Sequence, residues 1–71
     1  MDENKSIERL KALIEKRGTT QADVAMQVGI TRQHLGAILN GKYFAGKKTA
    51  KKLSDWAGPD SGVSVLELMG F

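Results

Sequence analysis

Residues 20–42 read TQADVAMQVGITRQHLGAILNGK, two short apolar patterns at helical spacing that meet across Val28-Gly29-Ile30-Thr31. Thr20 precedes Asp23 by three, the spacing of a capping box, and opens a helix through Val24, Ala25 and Val28. Gly29 ends that helix, as glycine does where the chain must turn left-handed. Thr31 caps a second helix over 32–39, which buries Leu35, Ile38 and Leu39 before Asn40-Gly41 stops it. A helix, a tight glycine turn and another short helix must therefore sit at the centre of any fold this chain adopts. One residue resists the pattern. Gly36 lies inside the second helix, where glycine is less favourable than alanine by about 1 kcal/mol.

The flanking segments are helical too. Ile7, Leu10, Leu13 and Ile14 mark a buried stripe on a first helix of about 4–17, which stops at Gly18. A fourth helix is expected over 47–57, with Ala50, Leu53 and Trp56 inward and Lys47, Lys48, Lys51 and Lys52 outward. Gly58-Pro59-Asp60-Ser61-Gly62 is a loop, and the Ser64/Glu67 capping box opens a last helix over 65–69. Nothing alternates like a strand. The expectation is an all-α bundle of five short helices in a single domain, 1–71.

At 71 residues such a domain buries only about 60 % of the surface its unfolded chain exposes. It has no cysteine and one histidine, which leaves no disulfide framework and no basis for a structural metal site. Self-association is the remaining way to add buried area. The start, MDENKSIERL, has neither the basic opening nor the apolar core of a signal peptide, and no apolar run reaches membrane-spanning length. A soluble, cytoplasmic protein without cofactor or membrane partner is expected.

The net charge of +3 hides an asymmetry. Residues 1–23 hold five acids and five bases, residues 24–54 six bases and no acid, and residues 55–71 three acids and no base. A basic block of this kind is the footprint of a polyanion-binding face, or else a solvated face that keeps the chain soluble.

Thr20, Gln21, Val24, Ala25, Gly29, Ile30, Thr31, Leu35, Ile38, Asn40 and Gly41 together resemble the DNA-binding core of the phage repressor and Cro-type helix-turn-helix family. The resemblance extends over the flanking helices and implies a lambda repressor-like fold whose helix 32–39 enters the major groove of double-stranded DNA. In such a unit the N-terminal residues of the second helix lead, and here these are Arg32 and Gln33. Arginine's fork matches guanine, and glutamine pairs with adenine. The resemblance also implies base or backbone contacts at Gly36 and Ala37, where Ala37 either meets a thymine methyl or contributes nothing specific. It implies phosphate contacts at Gln21, Asn40 and Lys42, with Thr31 a further candidate whose capping role alone explains its presence. Lys47 and Lys48 sit in the first turn of helix four, where the macrodipole disfavours cations unless an anion docks there. Lys51 and Lys52 add long-range attraction. In the loop, Tyr43 offers a hydroxyl to a phosphate, while Phe44 is expected to plug the core.

His34 has no cysteine, second histidine or fixed carboxylate beside it and reads as a surface or turn-packing residue. No nucleophile, acid pair or phosphate loop is present, and an enzyme is not expected. Two family features are missing. The positions of a buried arginine–glutamate pair hold Ile14 and Leu39, a replacement that need not destabilise. Ala45-Gly46 stands where the family has a proline before helix four. In the last helix Val65, Leu68 and Met69 face inward, which leaves Leu66 and Phe71 for a two-fold dimer contact, unless Phe71 folds back on its own core. The expected function is a bacterial, phage or prophage regulator that occupies a near-palindromic operator as a weak homodimer formed on DNA. The alternatives are the antitoxin of a toxin–antitoxin pair, or an interaction module that kept the fold without specific DNA binding.

Overall fold

The computed structural model describes residues 5–71, and every regular element in them is a helix. In order these are α1 (Lys5–Lys16), α2 (Gln21–Val28), α3 (Arg32–Leu39), α4 (Lys47–Ala57) and α5 (Val65–Leu68). The expected five-helix all-α bundle is the observed one. Position 4, where the first helix was expected to begin, lies outside the described residues.

Hydroxyl caps set three of the helix starts. Thr20 Oγ1 accepts from the Asp23 amide at 3.2 Å, Thr31 Oγ1 from the His34 amide at 3.0 Å and Ser64 Oγ from the Glu67 amide at 3.4 Å. Each satisfies one of the amides that a helix start leaves without a partner. Gly29, at φ 79°, carries the chain out of α2 in the left-handed region, and its amide closes on the carbonyls of Ala25 and Met26. A side chain at that φ would be strained, so the turn requires its glycine.

α3 packs against α1 and α2, α4 against α2 and α5, and α5 closes back on α1. Ile7, Leu10 and Ile14 of α1, Val24, Ala25 and Val28 of α2, and Leu35, Ile38 and Leu39 of α3 supply most of the core. Ala50, Leu53 and Ala57 of α4 and Leu68 of α5 complete it with Ala45 and Val63 from the loops. Each fully buried leucine or isoleucine contributes about 1.5–3 kcal/mol relative to exposure, the main stabilising term in a chain this small. Ile14 and Leu39 are both in that core, apolar where the resembled family carries an ion pair.

Several expectations require correction. Leu13, Val65 and Met69 are only half-buried and pack on the core from its edge. Trp56 is half-buried as well, and Ala57 takes the inward position at the end of α4. α5 ends at Leu68, with Met69 as its cap, one residue earlier than expected. Phe44 is no core plug. It is 64 % exposed, because the buried place in its loop goes to Ala45, whose amide donates to Leu68 O at 2.8 Å. The Phe44 ring instead lies on Gly70, where a Cβ would stand 2.8 Å from the ring and where φ is +93°. Phe71 does not fold back on the core and is 84 % exposed.

Two long-range clasps hold the ends of the bundle. Ser6, fully buried, accepts from the Ser64 amide at 2.8 Å and donates to the Glu67 carboxylate. It therefore stands between the two partners of the α5 capping box and ties α1 to the start of α5. Arg17 donates to Trp56 O and Ala57 O, each at 2.8 Å, and its guanidinium lies 4.5 Å from the centre of the Trp56 ring. A cation thus meets the negative end of α4 while stacking on an aromatic face.

Candidate nucleic-acid interface

With Leu35, Ile38 and Leu39 turned to the core, the opposite face of α3 is fixed by helix geometry at about 100° per residue. Gln33 and Ala37 lie at the centre of that face, Gly36 on one flank and His34 on the other. Arg32, beyond Gly36, is the first residue of the helix. Arg32 and Gln33 are exposed, whereas Gly36 and Ala37 are half-buried. An α-helix with side chains is about 10–12 Å across and the major groove about 12 Å wide, so α3 is an element of the right calibre.

Gln21, the first residue of α2, is exposed and reaches over the Gly36 flank. Its Oε1 lies 3.6 Å from the place a Cβ would take on Gly36. The bare position is therefore where one helix lays a polar side chain across the other. Lys11 and Glu15 of α1 line a recess with Ile14 and Gln21, so the first helix brings one cation and one anion to this flank. Lys11 escaped the sequence reading because α1 is charge-balanced along the chain, and only the packing shows which of its bases stands near Gln21.

Past α3, Asn40 forms the helix cap, its amide donating to Gly36 O at 2.9 Å. Lys42 and Tyr43 follow, both exposed, with Lys42 N donating to Ala37 O at 2.9 Å. Lys47 and Lys48 occupy the exposed first turn of α4, whose cap residue Gly46 makes no side-chain capping bond. This start thus presents amides and two ammonium groups together. Thr31 is exposed but its hydroxyl caps α3. Lys52 also has a local position. Its Nζ lies 3.7 Å from the Cβ position of Gly29, over the turn between α2 and α3, where the carbonyl end of α2 favours a cation. His34 is exposed and its ring packs on that of Tyr43, with centroids 6.2 Å apart.

The α2–turn–α3 geometry with its surrounding helices is what a family profile for a helix-turn-helix domain describes, and that profile matches residues 7–58. The chain belongs to the helix-turn-helix domain family. No curated protein and no solved structure matches it. Membership suggests a DNA-binding regulator, and helix-turn-helix domains of this kind are typically non-enzymatic. Among the described residues no helix is long and apolar enough to cross a membrane, and no three histidine, cysteine or acidic side chains gather as metal ligands.

Leu66, Phe71 and Phe44 leave an exposed apolar edge where the loop after α3 meets the end of the chain. Leu66 is 61 % exposed, and its carbonyl accepts from Phe71 N at 2.9 Å. Phe44 joins them over Gly70. Phe44 belongs to this edge for a reason no local pattern reveals, the pairing of Ala45 with Leu68.

Proposed function

We propose that this helix-turn-helix domain is a sequence-specific transcriptional regulator of the phage repressor and Cro type. It lays α3 in the major groove of an operator and blocks access to it. The observation that carries the reading is the exposed face of α3, led by Arg32 and Gln33 and flanked by Gln21. Arg32 and Gln33 read base edges, each good bidentate pair being worth about 1–3 kcal/mol of discrimination. Gly36 and Ala37 bring the helix backbone close to the bases. Gln21, Asn40, Lys42, Tyr43, Lys47 and Lys48 hold phosphates on either side, with Thr31 at the start of the reading helix. Support comes from their exposure and from the basic, acid-free segment 24–54 that contains most of them.

The whole chain, 1–71, acts as one domain, and it binds as a weak homodimer through Leu66 and Phe71, with Phe44 added to the patch. Exposed apolar residues of this size are what a self-complementary contact needs. A two-fold pair would place two α3 helices about 34 Å apart on a near-palindromic site.

The test is Arg32→Ala, titrated on the preferred site and on random duplex. The expected result is a loss of at least tenfold on the preferred site and a much smaller one on random DNA. Equal losses on both would remove Arg32 from base reading.

A further inference from the structure

Beside Gln33 the surface falls into a recess of about 430 Å³ lined by Thr31, Gln33, His34 and Tyr43. The first three come from the start of α3 and the fourth from the loop that follows it. The two rings lean on one another, with centroids 6.2 Å apart and planes inclined by 35°, within the range of a favourable aromatic pair. Both residues nevertheless stay exposed, Tyr43 at 63 %. Among the described residues neither side chain uses its N–H or O–H donor on the protein. The pair thus keeps two donors at the surface, side by side.

We propose that His34 and Tyr43 form a clamp for a single DNA backbone phosphate, on the groove wall next to the base edge that Gln33 faces. The inference rests on the DNA-binding reading above and adds His34 to it. His34 points about 100° further round the helix than Gln33, onto the flank opposite Gly36, where the Tyr43 ring meets it. Tyr43 reaches the same place from the loop, so two elements converge on one flank of the face that Gln33 centres. No acidic residue lies between positions 24 and 54, so an anion in this recess meets no like charge along that segment, and Lys42 adjoins Tyr43 in the chain. Mutual packing of the rings also reduces the side-chain freedom lost when the phosphate is bound. The His34 main chain is already fixed by its amide bond to Thr31 Oγ1.

The experiment uses the full chain and its preferred duplex, once with every phosphate intact and then with one uncharged methylphosphonate at each position in turn. Wild type, His34→Ala and Tyr43→Phe are titrated on every duplex; both sites are exposed, and circular dichroism checks that each variant is folded. Hydrogen bonds to a charged group predict that each variant loses about tenfold on the intact duplex. Both losses should vanish on the same single methylphosphonate duplex, which should itself weaken the wild type. Wild-type affinity in His34→Ala would overturn the clamp, and so would losses that persist on every methylphosphonate duplex. If the wild type binds no duplex, the DNA reading and the clamp fall together; binding that ignores these two substitutions removes the clamp alone.

Discussion

Gly36→Ala separates what α3 needs for folding from what it needs for its partner. Gly36 lies inside an α-helix, where alanine is favoured by about 1 kcal/mol. A Cβ there would meet only Gln21 Oε1, at 3.6 Å, which is ordinary van der Waals contact and forces nothing to move. The folded chain should therefore gain about 0.5–1 kcal/mol. For a domain this small the melting temperature should rise by about 4–8 °C per kcal/mol. Urea titration followed by the fluorescence of Trp56, the only tryptophan, measures the gain, with an unchanged m-value as the control. DNA affinity should move the other way. In the proposed complex the added methyl stands on the flank of α3 that approaches the groove, and overpacking a close contact costs about 1–3 kcal/mol, or tenfold and more. A less stable variant would refute the open-site argument. A more stable variant with intact affinity would refute the role of the bare position in DNA approach.

Two further substitutions probe the parts that support this face. Ser6→Ala removes the group that accepts from Ser64 N and donates to Glu67, in a fully buried position. A loss of about 2 kcal/mol is expected in urea unfolding, and a change below about 0.5 kcal/mol would show that the clasp is unimportant. Lys48→Ala should weaken preferred and random duplexes alike and lower the slope of log K against log salt by about 0.9. An unchanged slope would remove Lys48 from the phosphate contacts.

The helices and their order were legible because each start and stop carries its own local chemistry. Thr20, Gly29, Thr31 and Ser64 act on residues within five positions of themselves, and periodicity found Leu10, Leu35 and Leu53 for the same reason. Long-range contacts were not legible. Ser6 pairs with residues some 60 positions away, and Arg17 reaches the end of α4 across about 40, so no spacing rule reports either. The misplacement of Phe44 has the same origin. A large apolar residue in a loop reads as a plug, and only the bond from Ala45 to Leu68 shows that its smaller neighbour takes the buried place. In the candidate interface, chain order gave Arg32, Gln33, Lys47 and Lys48, all of them exposed. It missed that Gln21 lies over Gly36, that Lys52 sits on the turn and that His34 pairs with Tyr43.

Selection of bound duplexes from a random DNA pool tests the central claim most directly, because it reads specificity and dimer geometry in one measurement. Two α3 helices in a two-fold pair predict an enriched, near-palindromic sequence whose half-sites are centred one helical turn apart. A pool that stays random after repeated selection, while the chain remains folded, would contradict sequence-specific binding by this domain.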